Sequence, residues 1–444
     1  MSKLKSFLSR NKKCILFRPI FFAHAVLKHF KSNIADVQSR RRIKRVIRRA
    51  SLHSKSRKIR VLFLVIDSNT WNKLKPLYDA MHRRENIELK IVCMMPMPKQ
   101  QDTSVTYRYF KDHGYDCIDA RVGDGPWDVD DKTSQWFDIR ALEPDYIFYG
   151  EPYNAYFPAQ YRSQVTSQYA KICFASYGVT ILKNFLYIQP RDFCRDVYFR
   201  YATSEEEKNF IISQYRKFYK KGLQKIKYIG NLVFSEFYKA RDARCEAWAF
   251  SKNKFRAIWT PRWTTDEKIG GSNFLRYKDI LLDYAKTHKE MDFLLRPHPM
   301  ALDNFVKTGQ LSEEEAAAFK QTCLEESNLS LDVQKYYANT FWHSDVLIGD
   351  ISSILVEYFI TGHPIIFCKT LHSEQQPLKF FEKILSCCYI ADNQAELILH
   401  LEQLAAGHDP LKTKRESCIA ELFNYDFEGV ADKMIDDIIS DFYT

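Results

Sequence analysis

The feature that most constrains this chain is a repeated alternation of two segment types. Short, nearly unbroken apolar runs lie at 58–67 (KIRVLFLVID), 87–95 (IELKIVCMM), 145–150 (DYIFYG) and 170–178 (AKICFASYG). Helix-compatible segments lie between them, at 71–84 (WNKLKPLYDAMHRR) and 107–114 (YRYFKDHG). A run apolar at successive positions, rather than at every second one, suits a strand buried on both faces. Such strands belong to parallel sheets with helices on either side. The scheme returns later: 254–260, 291–296, 344–350 and 364–368 read as strands, and 277–288 and 352–361 as helices. Capping boxes are expected at Thr203 with Glu206 and at Ser312 with Glu315.

The expected fold is therefore α/β: two α/β units with a cleft between them. The expected limits are 1–56 for a basic helical arm, 57–240 and 241–390 for the two units, and 391–444 for terminal helices. The length of 444 residues fits more than one core at roughly 100–200 residues per domain. The chain shows no internal sequence repeat.

Composition narrows the function. Glycine supplies only 14 residues, about half the usual ~7% share, so a glycine-rich phosphate loop is not expected. The net charge of +11 is unevenly spread. Residues 1–60 hold 19 Lys and Arg against one acid, Asp36, a net of +18; the remainder nets −7. A basic arm on a mildly acidic body seeks a polyanion. Segments 20–30 and 40–49 can be helical, and an anionic membrane surface is the favoured partner. No recognition module points to nucleic acid. The eleven cysteines include no CxxC; reduced thiols fit better than a disulfide framework or a zinc site. The best apolar stretch, 14–30, is broken by Arg18, Pro19, His24 and Lys28, so neither a membrane span nor a signal peptide is expected. The expectation is a cytoplasmic protein, peripheral to the inner face of the membrane.

Ligands of parallel α/β sheets bind beyond the carboxyl ends of the strands. Three such ends in the second unit are polar: Thr260-Pro261-Arg262-Trp263, Arg296-Pro297-His298-Pro299 and Asp350-Ile351-Ser352-Ser353. Arg296 has the fork that pairs with phosphate oxygens. His298 is able to titrate near neutrality and move a proton. Ser352 and Ser353 open a helix, where free N–H groups attract anions; serine is also an ordinary helix cap.

Together these segments resemble the CDP-glycerol glycerophosphotransferase family, which includes the teichoic-acid glycerol-phosphate polymerases. The likeness rests on RPHP (296–299), SDVLIGDISSILVE (344–357), HPIIF (363–367) and TPRW (260–263). It covers roughly 225–370 well and extends weakly to 57–200 through PDYIFYGEPYN (144–154). The resemblance implies a GT-B-like fold of two Rossmann-like units with the donor nucleotide in the C-terminal one. It implies transfer of glycerol phosphate from CDP-glycerol to a hydroxyl of a cell-surface glycan or lipid-linked acceptor, releasing CMP. Arg262, Trp263, Arg296, His298, Ser352, Ser353 and Glu357 would line the donor site. Two family elements differ here. Tyr177-Gly178 stands where the family has His-Gly, and Gly230-Asn231-Leu232-Val233 replaces G-x-P-R. The proton acceptor is expected among His298, Asp67 and Tyr177. No metal ligand set and no cofactor are expected. The rival readings are a GT-B glycosyltransferase using a sugar nucleotide and a non-catalytic polyanion-binding assembly factor.

Overall fold

The computed structural model describes residues 18–50, 56–94 and 104–444, apart from 72, 124, 126, 131, 177, 253–254, 268–269, 335–336 and 371–375; for 18–29 and 69 only the backbone is described. Two parallel sheets dominate it. The first has seven strands in the order β3-β2-β1-β4-β5-β6-β7. These are β1 (Ile59–Val65), β2 (Ile87–Cys93), β3 (Cys117–Asp119), β4 (Tyr146–Tyr149), β5 (Lys171–Ala175), β6 (Val197–Tyr201) and β7 (Lys225–Lys227). The second has six, in the order β10-β9-β8-β11-β12-β13. These are β8 (Phe255–Thr260), β9 (Met291–Leu295), β10 (Leu329–Leu331), β11 (Val346–Gly349), β12 (Ile365–Cys368) and β13 (Tyr389–Ala391).

Both orders are those of a doubly wound sheet. In each, the chain moves outward one way from the first strand and then returns to build the other side. The reversal falls between β1 and β4 in the first sheet and between β8 and β11 in the second. A crevice opens at such a point because the two crossovers leave in opposite directions. The apolar runs behave as their pattern requires: β4, β5, β9, β11 and β12 are buried at every position.

The long N-terminal helix α1 (Arg18–Ala50) docks by its C-terminal half on the first unit. Ile43 and Val46 are buried there. The Ser39 hydroxyl donates to the Arg195 carbonyl at 2.8 Å, Arg42 pairs with Asp196 at 2.6 Å and Arg191 with Asp36 at 2.6 Å. Part of the basic arm is thus a structural element. The helix α2 (Glu205–Gln214) is capped by Ser204, whose hydroxyl accepts the Glu207 N–H. The expected cap at Thr203 therefore sits one residue later. The Ser312–Glu315 box is present, both of its hydrogen bonds made.

The C-terminal stretch divides between the two units. Helices Gln394–Ala405 and Lys412–Leu422 cover the second sheet, with Leu397, Leu401 and Leu404 in its core. After the short helix α3 (Ile354–Phe359), which follows β11, the last helix that concerns the first unit is α4 (Val430–Tyr443). It returns across the molecule to bury Met434, Ile435 and Ile438 in the first unit's core. Asp441 on α4 pairs with Lys171 and Lys225, each at 2.6 Å. The ten described cysteines are unpaired. No helix among the described residues is long and apolar enough to cross a membrane.

Candidate active site

The segments that leave the strands of one sheet touch those that leave the strands of the other. Beyond β5, Leu182 bridges to Pro377, and Lys183 N–H donates to the Gln376 carbonyl at 2.8 Å. Beyond β1, Lys73 reaches the second unit. Its ammonium donates to the Tyr337 hydroxyl at 3.1 Å and lies 3.7 Å from Glu357. The carboxyl ends of both sheets therefore face one another, and both crevices open toward the same space.

At the second sheet's reversal point three loops are knitted together by Asp350, which is buried at the end of β11. One carboxylate oxygen accepts the Arg262 N–H at 2.9 Å and the Ser272 hydroxyl at 3.2 Å. The other accepts the Asn273 side-chain amide at 2.8 Å and its backbone N–H at 3.1 Å. Burial pushes the Asp350 carboxyl up from its ordinary range, and these donors oppose the shift. Asp350 is thus a tie between loops.

Arg262 follows β8, and its guanidinium donates to the Ile351 carbonyl at 2.6 Å. Burial lowers its pKa, with Asp350 acting the other way. The approach requires Gly270: its φ is +112°, and a Cβ there would lie 2.6 Å from the Arg262 Nη1. The Trp263 carbonyl accepts from the Asn304 side chain at 2.9 Å, and its indole lies 6.4 Å from the His298 ring. His298 N–H donates to the Pro261 carbonyl at 3.3 Å. The His298 Nδ1 accepts the Met300 N–H at 3.2 Å, so the neutral ring carries its proton on Nε2. Burial and then the charge of Arg262 hold its pKa below the ordinary value. Near pH 7 His298 is a neutral ring that offers an N–H.

Ser352 and Ser353 are half-buried at the start of α3, and the Ser353 side chain makes no capping bond. They follow Ile351, whose carbonyl accepts from Arg262. Two other expected residues are engaged elsewhere. Arg296 pairs with Asp332 at 2.6 Å, donates to the Gln334 carbonyl at 2.8 Å and lies 4.6 Å over the Tyr337 ring. Glu357 is buried and accepts from the Tyr337 hydroxyl while facing Lys73. Both bear on Tyr337.

At the first sheet's reversal point the segments after β1 and β4 lie side by side. Gly150 N–H donates to the Leu64 carbonyl at 3.0 Å, which sets the next residue, Glu151, beside Asp67. Glu151 is half-buried. Burial, then the charge of Asp67, push its carboxyl up to about 7, and the neighbouring Thr70 side chain acts the other way. Asp67 is among the residues expected from the sequence; Glu151 is not, because a lone acid in a loop has no periodic signal. Tyr177 lies outside the described residues.

A separate cavity of about 620 Å³ lies between the units, lined by Thr203, Glu206, Tyr228, Val356, Phe380 and Tyr425 among others. None of the expected site residues lines it. Among the described residues no group of three His, Cys, Asp or Glu side chains is placed to hold a metal ion.

Residues 250–440 match the family model described as CDP-Glycerol:Poly(glycerophosphate) glycerophosphotransferase. The family resemblance read from the sequence is borne out. The match spans the second sheet, its three loops and α3. It also takes in most of α4 and leaves out the strands of the first sheet. No curated protein sequence matches the chain. Solved structures similar to it include the wall teichoic acid polymerase TagF, at 13% identity and a TM-score of 0.51, covering 94% of this chain and 98% of that one. They also include the UDP-GlcNAc 2-epimerase from Neisseria meningitidis bound to UDP-GlcNAc, at 12% identity and a TM-score of 0.58, covering 86% and 100%. MnaA from S. aureus, solved with UDP, aligns at 10% identity and a TM-score of 0.55, covering 86% and 96%. At these identities the likeness is one of fold, and it bears out the two-unit GT-B-like architecture.

Proposed function

We propose that the chain transfers glycerol phosphate, or a similar phosphoalcohol, from a CDP-activated donor to a hydroxyl of a cell-surface glycan or glycolipid, releasing CMP. The observation that carries this reading is the crevice at the second sheet's reversal point. Arg262 donating to the Ile351 carbonyl just before Ser352, and His298 bonded back to the Pro261 carbonyl, support a donor site there, within the span matching the family model. TagF, which shares the fold, has been solved after a soak with CDPG, which favours a CDP-linked donor here.

The chemistry suits those groups. A hydroxyl oxygen attacks the β-phosphorus, the bond to the bridging oxygen breaks, and CMP leaves with the electron pair. Such a step needs positioning and charge neutralisation more than covalent help. Arg262 supplies positive charge from a water-poor setting, where it acts more strongly. The His298 Nε2–H and the two serine hydroxyls supply directed donors. Arg296 and Glu357 hold Tyr337, and with it the crevice wall, in place.

The arm has a matching partner. Phe30, Ile34 and Val37 are exposed along α1. Arg40, Arg41, Lys44 and Lys221 surround a groove of about 680 Å³ beside them. Apolar side chains next to a basic groove suit peripheral attachment to an anionic membrane surface, at the cytoplasmic face where a CDP-activated donor would be met.

A sugar nucleotide is the second reading, favoured by the fold shared with the UDP-GlcNAc 2-epimerase. CMP release from CDP-glycerol, measured with glycan and lipid-linked acceptors, tests the first reading. Acceptor-dependent CMP supports it. UDP or GDP release from a sugar nucleotide, with none from CDP-glycerol, replaces it with the second.

A further inference from the structure

We propose that Glu151 is the general base of the transfer, taking the proton from the acceptor hydroxyl as its oxygen attacks phosphorus. The inference rests on the transfer reading and assigns the half of the reaction that the second unit does not supply.

Position is the first argument. Glu151 stands just past β4, and β4 pairs with β1 in parallel at Leu64–Tyr149. That pair is the reversal point of the first sheet, where a doubly wound fold opens its crevice. The segment leaving β1 beside it contacts the second unit through Lys73. The Thr70 hydroxyl beside Glu151 donates to the Asp67 carbonyl at 3.1 Å. Lys73 N–H donates to the Thr70 carbonyl at 3.1 Å, and Lys73 extends to Glu357. Glu357 N–H donates in turn to the Ser353 carbonyl at 3.3 Å. Lys73 and Glu357 thus connect the segment beside Glu151 to the start of α3.

Chemistry is the second argument. A base working near neutrality needs a pKa close to the working pH. The titratable groups facing Glu151 are Asp67, on the segment leaving β1, and Tyr156, in the turn after β4. Burial and Asp67 bring the Glu151 carboxyl to about 7. It is then ionised in a good fraction of molecules and basic enough to accept a proton. His298 is less suited: its Nδ1 already accepts the Met300 N–H, and burial disfavours its cationic form. A tyrosine such as Tyr177 has an unperturbed pKa of ~10.

The step balances. The acceptor O–H bond breaks and its proton passes to a Glu151 carboxylate oxygen. The new O–P bond forms as the bond to the CMP oxygen breaks. The proton then leaves Glu151 for water or for the released CMP.

The test uses the full chain with CDP-glycerol, a hydroxyl acceptor and calorimetry of the donor. E151Q keeps the shape and hydrogen bonding of the side chain and removes the base. The expected result is a fall in kcat of about 10²-fold or more with the donor Kd changed by less than about twofold. D67N should move the acid limb of kcat/KM to lower pH, since it removes the charge that raises Glu151. A kcat for E151Q within about threefold of wild type overturns the assignment while leaving the transfer reading intact. So does loss of donor affinity in parallel with kcat, which would make Glu151 a binding residue. A wild-type protein that binds CDP-glycerol but releases no CMP with any acceptor overturns the transfer reading, and the base falls with it.

Discussion

Lys73, on the segment leaving the first strand of the first sheet, places its ammonium 3.7 Å from the buried carboxylate of Glu357 in the second unit. The Tyr337 hydroxyl joins them, donating to Glu357 and accepting from Lys73 at 3.1 Å. Burial alone would lower the lysine's pKa; Glu357, then Tyr337, outweigh it and hold it above the ordinary value. The contact ties the segment leaving β1 to the second unit. Removing one partner should be costly because the other is left unpaired away from water. Lys73→Met should destabilise by about 3 kcal/mol, and the double variant Lys73→Met with Glu357→Gln by less than the sum. Denaturant unfolding of the three variants checks this. The lysine's contribution is present below pH ~10 and is lost as pH rises through the raised value.

Arg296 should behave as a structural residue. Its ion pair with Asp332, whose side chain is fully buried, and its place over Tyr337 predict that Arg296→Ala lowers the melting temperature. A loss of about 3 kcal/mol is expected from a broken buried pair. Thermal melts beside donor calorimetry separate this from a direct phosphate contact, which would weaken CDP-glycerol binding and leave the melt unchanged.

His298 should act through its Nε2–H. His298→Ala should weaken donor binding or turnover by about 10²-fold with little change in folding, since the residue lies beyond β9. Its lowered pKa fixes the sign of the pH effect. The neutral form is favoured in the fold, so its contribution to stability is present above pH ~6.5 and is lost as pH falls through the lowered value. Donor affinity followed from pH 8 to pH 5 should show no His298 titration near neutrality.

Glu151 carries a stability signature that needs no substrate. The fold favours its protonated form, so its contribution is full below pH ~4.3 and is lost as pH rises through about 7. Gln copies the protonated form. Glu151→Gln should therefore stabilise the protein by about 1–2 kcal/mol at pH 8 and be near neutral at pH 4. Chemical denaturation at both pH values measures the difference.

Much of this fold is legible in the sequence because its strands are buried on both faces. The runs at β1, β5, β8, β9 and β11 have no polar interruption strong enough to hide them. β6 is harder to see: Arg200 interrupts VYFRY yet is buried in the strand. β3, β10 and β13 have three residues each, too few for any periodicity. The proposed donor residues Arg262, His298 and the two serines are legible because polar residues cluster just past apolar runs. The partners of Arg296 and Glu357 are not, since Asp332 and Lys73 come from distant segments. Glu151 and Asp67 meet only because a crossover returns β4 to the side of β1. The basic arm reads as a helix and forms one, but its C-terminal half docks on the first unit, because Ile43 and Val46 recur along one face of α1.

The central claim is that a CDP-activated alcohol binds at the second sheet's reversal point, and calorimetric titration tests it most directly. CDP-glycerol and UDP-GlcNAc are titrated into the full-length protein under the same conditions. The account predicts saturable binding of CDP-glycerol at one site per chain, with UDP-GlcNAc weaker by about tenfold or more. Equal or tighter binding of UDP-GlcNAc would contradict it.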